Sequence, residues 1–155
     1  FRSRGNRIAS VNPATMAITE VTLPDPAARP RRLTITPDDV IWYTDFARGM
    51  LGRYDPKSGT FSEWASPGGE DSEPYGIASI GNTIWYSESG VRPNTLVRFD
   101  PQAGKFQTWA IPSGGGVVRN MMRTVNGTGL VLACSGVNRV ALVSIGVAPA
   151  VARTN

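Results

Sequence analysis

The chain has 155 residues, of which 17 are glycine, 12 are proline and 18% are charged. This composition excludes a coiled coil, a bundle of long helices and a disordered tail, and the 41% of hydrophobic residues can form a buried core. The net charge is +4, but no run of basic residues with interleaved aromatic residues is present, so nucleic-acid binding is not expected. No apolar stretch is long enough for a transmembrane helix, so no membrane partner is expected.

Two residue types narrow the chemistry further. Cys134 is the single cysteine and the chain has no histidine, which excludes an intrachain disulfide, a cysteine-rich zinc site and Ser-His-Asp hydrolysis. Cys134 ends the apolar run at residues 130–134 and is expected to be a buried structural thiol.

The first predicted strands lie at residues 7–11 and 17–21, on either side of an Asn12-Pro13 turn. The pattern returns at residues 52–56 and 96–101, and the Asx-Pro steps are 43 and then 45 residues apart. Each step is followed by a small turn and another short strand that ends close to a proline. The chain therefore contains an internal repeat.

A second set of repeated strands fills the intervals. Residues 41–45 and 84–88 read Ile-Trp-Tyr followed by a hydroxyl residue and an acid, and residues 130–134 are a degenerate third copy. Further strands are predicted to start ahead of these, at spacings of 44 residues, at Leu33, Ile77 and Met121. The segments are short and mostly rich in β-branched and aromatic residues, which is typical of strands.

Four short strands in about 44 residues is the period of a β-propeller blade. The sequence therefore predicts an all-β fold of four-stranded antiparallel blades, in one propeller segment over residues 1–155 that forms an incomplete ring of about 3.25 blades. The predicted parts are a half blade, two complete blades and an incomplete blade, at residues 6–24, 33–67, 77–112 and 117–146.

An incomplete ring needs something to close it, because propellers close with typically four to eight blades. Either further blades or self-association is expected to supply the remainder. Phe1 matches Phe46, which follows the strand at 41–45, so the chain is expected to begin in the middle of a blade, and no clear fourth strand is expected in residues 147–155.

Four tryptophans occupy equivalent places in successive blades: Trp42 matches Trp85, and Trp64 matches Trp109. Large aromatic residues in strands most often pack in the core, so packing between blades is expected. A platform on which a sugar stacks is the alternative.

The repeat resembles the blade of the virginiamycin B lyase (streptogramin B lyase) family over roughly residues 7–146. The motifs that carry the resemblance are Pro-x-Gly-Ile-Ala at 74–78, Ile-Trp-Tyr-Ser-Glu at 84–88 and Gly-Arg-x-Asp-Pro-x-x-Gly at 52–59. The resemblance implies a bacterial seven-bladed propeller that linearises a cyclic depsipeptide by elimination, using a histidine base, an acid and a magnesium ion. The base has no counterpart here. Only Asp45 and Glu88 are acids in a corresponding position, and Cys134 stands in the third copy.

Candidate ligand-binding residues lie at one mouth of the predicted channel. Arg31, Tyr75 and Arg119 are equivalent positions, predicted just ahead of the innermost strands, and Arg48 and Arg92 follow the Trp-Tyr strands. Because arginine offers paired donors in a fixed geometry, these side chains suit a small polar or anionic ligand. The alternative is that they are solvated loop arginines.

Asp45 and Glu88 are also the candidates for catalysis and for a metal. Two hard oxygen ligands suit Mg²⁺ or Ca²⁺, and either carboxylate could act as a general base. In the alternative, each carboxylate caps a turn or pairs with an arginine such as Arg48 or Arg92.

Three functions remain open from the sequence. The chain is a lyase-like enzyme or a fragment of one, acting as a C–O lyase, or it is a non-catalytic ligand-binding or scaffold propeller. The third possibility is a lactonase-type enzyme with a carboxylate-bound metal. The absence of histidine favours the second possibility. The sequence leaves open whether the protein is exported, periplasmic or cytoplasmic.

Overall fold

A computed structural model describes residues 5–146, and within this range the chain consists of β-strands and two short 3-10 turns, at Glu70–Ser72 and Ser135–Val137. The predictions made for Phe1 and for residues 147–155 lie outside the described residues. No helix in this range is long and apolar enough to span a membrane. The strands are β1 (Arg7–Val11), β2 (Ile18–Thr22), β3 (Pro30–Ile35), β4 (Ile41–Asp45), β5 (Met50–Asp55), β6 (Thr60–Ala65), β7 (Pro74–Ile80), β8 (Thr83–Glu88), β9 (Thr95–Asp100), β10 (Lys105–Ala110), β11 (Val118–Arg123), β12 (Gly129–Cys134) and β13 (Arg139–Ser144).

The strands form four sheets in chain order. Sheet 1 is the pair β1–β2, sheet 2 is β3–β6, sheet 3 is β7–β10 and sheet 4 is β11–β13. Within a sheet, each strand pairs antiparallel with the next one in the chain. The all-β fold class and the incomplete propeller of four-stranded antiparallel blades are therefore confirmed.

The first strands of sheets 2, 3 and 4 are β3, β7 and β11, and they are called here the innermost strands. Each begins three residues earlier than the sequence predicted, which was at Leu33, Ile77 and Met121. For β3 and β7 the reason lies in Pro30 and Pro74, which resemble turn formers but occupy the first position of an edge strand, where a missing N–H is tolerated. The observed first residues pair with the last residues of the neighbouring strands, in the pairs Pro30–Asp45, Pro74–Glu88 and Val118–Cys134.

Aromatic side chains join sheet 2 to sheet 3. Trp42 stacks on Trp64 within sheet 2, with ring centroids 5.5 Å apart. Phe99 of sheet 3 contacts both rings, at 5.8 Å from Trp42 and 4.9 Å from Trp64. The predicted packing between blades is confirmed for these two tryptophans.

The packing of Gly52 explains why the Gly-Arg-x-Asp-Pro motif begins with glycine. It lies opposite Tyr43 in the β4–β5 pair, and a Cβ at this position would lie 2.0 Å from Cζ of Tyr43. Glycine therefore leaves room for the ring of Tyr43, which is fully buried and packs with Ile8 and Leu23 of the first hairpin region.

Candidate functional site

Each innermost strand carries one extra residue close to its start. The pairing of β3 and of β11 skips Arg31 and Arg119, and β7 has its extra residue between Pro74 and Ile77, where Tyr75 lies. A bulge residue leaves the ladder and its side chain is re-aimed. The sequence placed these three residues ahead of the strands. They lie inside them instead, because the strands start earlier than predicted.

Arg31, Arg32, Phe46 and Tyr75 form a cluster, called here the arginine–aromatic cluster. The guanidinium carbon of Arg31 lies 4.6 Å from the ring centroid of Phe46 and 5.8 Å from that of Tyr75. Arg32 also lies 5.8 Å from the ring centroid of Tyr75, and the two aromatic rings meet edge to face at 5.7 Å. Contacts of this length are cation–π interactions, which orient the guanidinium groups.

Arg119 joins this cluster through its backbone. Nε of Arg32 donates a hydrogen bond to the carbonyl oxygen of Arg119 at 3.0 Å, which links sheet 2 to sheet 4. The side chain of Arg119 is exposed beside that contact. The structure therefore brings together two of the predicted binding side chains, Arg31 and Tyr75, and places the third residue, Arg119, at their edge.

Arg31 has unused hydrogen-bonding capacity. Its Nε is buried and has no hydrogen-bond partner among residues 5–146. A buried donor without an acceptor is unfavourable, by about 1–3 kcal/mol. The arginine–aromatic cluster therefore contains one buried N–H donor, at Nε of Arg31, that has no acceptor among the described residues.

Arg48 and Arg92 are engaged elsewhere. Arg48 donates to three carboxylates and Arg92 donates to the carbonyl oxygens of Ser89 and Val91. Their donors therefore hold the loops that follow β4 and β8.

Asp45 is fully buried at the end of β4 and is surrounded by donors. Its carboxylate accepts hydrogen bonds from the backbone N–H of Arg29 at 2.9 Å and of Ala47 at 3.2 Å. Nε of Arg48 completes the set at 2.6 Å. The carboxylate therefore caps the turn after β4 and pairs with Arg48, as in the alternative that the sequence left open.

The ion pair of Asp45 extends into a network. Arg48 also contacts Asp25 at 3.0 Å and Glu63, and the hydroxyl of Tyr43 donates to Glu63 at 3.0 Å. Burial opposes the charge of Arg48, yet its hydrogen bonds to Glu63 and Asp45 raise its pKa above the ordinary value. The network ties β4 to β6 and to the segment after β2.

Glu88 is the equivalent residue of sheet 3 and is also buried. It accepts hydrogen bonds from the hydroxyl of Ser66 at 2.7 Å, the backbone N–H of Gly68 at 2.6 Å and the hydroxyl of Thr95. Ser66 in turn lies 2.8 Å from the hydroxyl of Tyr86. Glu88 therefore fixes the connection between sheet 2 and sheet 3.

These surroundings do not fit a metal ion at either carboxylate. A carboxylate has about four acceptor sites, and protein donors occupy three of them in both Asp45 and Glu88. Residues 5–146 also contain no group of three or more acidic, cysteine or histidine residues placed to hold a metal. The expectation of Mg²⁺ or Ca²⁺ stays a prediction that solution measurements must test.

Cys134 completes the set of equivalent positions as a buried free thiol. The sequence interpretation missed Phe46 as a member of the cluster. A signal for it exists, because Phe46 directly follows Asp45, and Asp45 is the end of the strand that pairs with the start of β3. The ion pairs of Arg48 with Asp25 and Glu63 could not be predicted in this way, since both acids are distant from Arg48 in the sequence.

Two buried tyrosines make the stability of the protein sensitive to alkaline pH. Burial raises the pKa of Tyr43 above its ordinary value of 10.0, and the neighbouring Glu63 raises it further. Burial likewise raises the pKa of Tyr86, although its hydrogen bond with Ser66 partly offsets this. The folded state therefore keeps both protons at a pH at which the unfolded chain loses them.

We expect the free energy of unfolding to fall as the pH rises above about 10, by up to about 1.4 kcal/mol per pH unit for each tyrosine. Below that pH the two tyrosines contribute no pH dependence. Urea titrations at several alkaline pH values measure the slope, and Tyr43→Phe and Tyr86→Phe should each reduce it. An unchanged slope in both variants would contradict the assignment.

Comparison with solved structures addresses the fold directly. The chain superimposes on a selenomethionine-substituted virginiamycin B lyase from Staphylococcus aureus with a TM-score of 0.75 and 22% identity, covering 94% of this chain and 51% of that one. The chain has the fold of the streptogramin B lyases. The resemblance deduced from the blade motifs is therefore confirmed at the level of structure. No protein-family model and no curated protein sequence matches the chain.

Two further structures show how far the likeness extends. A catalytically inactive His-to-Ala variant of the Staphylococcus aureus lyase with quinupristin matches with a TM-score of 0.69 and 26% identity, over 93% of this chain and 50% of that one. A candidate 6-phosphogluconolactonase from Bacteroides uniformis matches with a TM-score of 0.72 and 16% identity, over 92% of this chain and 45% of that one. The chain spans about half the length of the lyases that it resembles.

Proposed function

We propose that this chain is part of a streptogramin-lyase-like propeller that binds a small polar or anionic ligand at the arginine–aromatic cluster. The observation that carries the proposal is the position of Arg31. Its guanidinium lies 4.6 Å from the ring of Phe46, and its buried Nε has no acceptor among the described residues.

The chemistry of the cluster suits an anion with an apolar part. Cation–π contacts fix the orientation of the guanidinium groups, so little conformational entropy is lost when a carboxylate or phosphate is bound. The rings of Phe46 and Tyr75 add an apolar surface beside the charge. Charge-assisted hydrogen bonds in such a partly buried place are stronger than those made in water.

Binding without catalysis is the function that we assign to this chain. A lyase of the same fold that is described as catalytically inactive carries alanine in place of one histidine, and this chain has no histidine at all. The histidine base that the family resemblance implies is therefore not available from these residues. Catalysis by a histidine base would need a histidine from outside these residues.

The alternative is a metal-dependent lyase or lactonase that acts on a cyclic ester. The observation that favours this alternative is the structural similarity to a candidate 6-phosphogluconolactonase. Asp45 and Glu88 would have to release protein donors before they could bind Mg²⁺ or Ca²⁺. A rise in melting temperature with either metal that is lost in Asp45→Asn or Glu88→Gln would support this alternative over simple anion binding.

The test uses benzoate, which combines a carboxylate with a flat ring. We expect calorimetric titration to detect binding that Arg31→Ala weakens by about tenfold or more, since one charged hydrogen bond contributes roughly 1.5–3 kcal/mol. Arg7→Ala is the matched control, because Arg7 is an exposed arginine paired with Glu20 in sheet 1. The Arg7→Ala variant should bind benzoate with the same affinity as the unmodified chain.

A second control replaces the ligand. Benzyl alcohol keeps the ring but lacks the charge, so it should bind much more weakly than benzoate. Equal binding of both compounds, or equal affinity of Arg31→Ala and the unmodified chain, would overturn the proposal. Melting curves of the Arg31→Ala and Arg7→Ala variants verify that both remain folded.

A further inference from the structure

A pocket lies between sheets 2 and 3, at the strand ends opposite to the arginine–aromatic cluster, and is called here the inter-sheet pocket. It encloses about 380 Å³, which is at the lower end of the range for small-molecule sites. Sheets 2 and 3 each have four strands. The walls of the pocket therefore consist of described residues and do not depend on other parts of the chain.

Two stacked indole rings line the inter-sheet pocket. Trp42 and Trp64 have ring centroids 5.5 Å apart, and Phe99 of sheet 3 packs against both. Trp42 is buried, whereas Trp64 is half-buried and keeps part of its ring accessible. Because neighbouring rings already fix Trp64, a ligand that contacts it loses little affinity to the ordering of this side chain.

Arg53, on the wall of the pocket, has a terminal nitrogen that no protein group uses. Arg53 pairs with Ser62 across β5 and β6, and its Nη2 lies 3.3 Å from Oδ2 of Asp55. In sheet 3 the equivalent arginine is Arg98, and its Nη1 donates to Oε1 of Gln107 at 2.9 Å. Serine is shorter than glutamine and makes no such bond in sheet 2, so Nη1 of Arg53 remains available to a ligand.

Three further polar side chains at the pocket come from turns. Asp38 follows β3, Asn82 follows β7 and Gln102 follows β9. The hydroxyl of Thr36, together with the more distant Arg53, lowers the pKa of the Asp38 carboxyl below its ordinary value, so this group is an ionised acceptor at neutral pH. Asn82 and Gln102 each add an amide that both donates and accepts hydrogen bonds.

We propose that the inter-sheet pocket binds one neutral hexopyranose unit. Such a sugar has an apolar face of C–H groups, which suits the ring of Trp64, and hydroxyl groups that both donate and accept, which suit the polar wall. The guanidinium of Arg53 is flanked by the carboxylates of Asp38 and Asp55, so the pocket offers no net positive charge to an anion. The proposal is independent of the arginine–aromatic cluster.

The test is a titration of the isotope-labelled full chain, followed by nuclear magnetic resonance. The probes are the methyl α-glycosides of glucose, galactose and mannose. We expect at least one of them to shift the indole N–H signal of Trp64 saturably, with a Kd of about 1 mM. Sorbitol has the hydroxyl groups without the ring, and it should produce no saturable shift at the same concentrations.

Ser62→Gln is the variant that tests the pocket itself. Glutamine at this place should bind Nη1 of Arg53, as Gln107 binds Arg98 in sheet 3, and should weaken glycoside binding by about tenfold or more. Gln107→Ser makes the reciprocal change in sheet 3 and is the matched control. It should leave the titration of the Trp64 signal unchanged. Melting curves verify that both variants remain folded.

Each outcome decides the proposal. Absence of a saturable shift at Trp64 with all three glycosides would overturn it, as would an equal response to sorbitol. Equal affinity of Ser62→Gln and the unmodified chain would also overturn it, because the sugar would then lie elsewhere. Ser62→Gln should bind benzoate as the unmodified chain does, so a failure here is distinguishable from a failure of the proposed anion site at Arg31.

Discussion

Replacing Phe99 by alanine is expected to lower the free energy of unfolding by about 3–5 kcal/mol. Phe99 is fully buried and its ring contacts Trp42, Trp64 and Phe106, so it is the central side chain of the contact between sheets 2 and 3. Alanine would leave a cavity between two rigid sheets, which cannot collapse without breaking their strand pairing. The cost should therefore lie near the upper part of the range.

Urea unfolding followed by tryptophan fluorescence measures this cost. Val143→Ala is the matched control, because Val143 is the equivalent residue of sheet 4 and lines an open groove. Its cost should be about 1 kcal/mol, since fewer methyl groups are removed and no closed cavity results. Similar losses in the two variants would contradict the picture of a filled contact followed by an incomplete one.

Replacing Arg48 by methionine should cost about 3–5 kcal/mol. The substitution keeps much of the apolar stem but leaves Asp45, which is fully buried, without its counter-charge. Glu63 loses the same partner, although it is less buried. A buried carboxylate without a cation is much less favourable than the intact pair, because its desolvation is no longer offset.

The double variant Arg48→Met with Asp45→Asn distinguishes charge from packing. If the uncompensated charge is the cause, removing it should recover part of the lost stability in urea titrations. Arg7→Ala again gives the baseline, because the exposed pair of Arg7 with Glu20 should contribute no more than about 1 kcal/mol. A double variant that is less stable than Arg48→Met would show that Asp45 acts through its backbone hydrogen bonds and that its charge matters little.

The fold could be predicted from the sequence because the signal is repeated. A single short apolar segment does not distinguish a strand from a turn of helix, but Trp42 and Trp85 recur in the same surroundings at a spacing of 43 residues. The spacing also identified Arg31, Tyr75 and Arg119 as equivalent. The strand starts were less predictable, since Pro30 and Pro74 have the same local appearance in a turn and in an edge strand.

The candidate site was predictable only in part. Its residues lie far apart in the sequence, and the contacts of Arg31 with Phe46 and Tyr75 depend on side-chain directions set by the bulges. The partner of Asp45 was among those suggested, because Arg48 is three residues away. The other two carboxylates bound by Arg48 come from separate segments, and no local pattern marks them.

The bulges have a consequence for how such a chain can change. Arg31 and Arg119, the bulge residues of β3 and β11, take no part in the pairing that holds their sheets together. A substitution there changes the side chain beside the ladder, while the strand pairing keeps the same hydrogen bonds. The repeat thus separates the residues that maintain the blades from those that we propose to bind a ligand. Each of the innermost strands supplies one bulge position of this kind. The side chains at the three bulges can therefore differ between related chains while the pairing of the strands is kept.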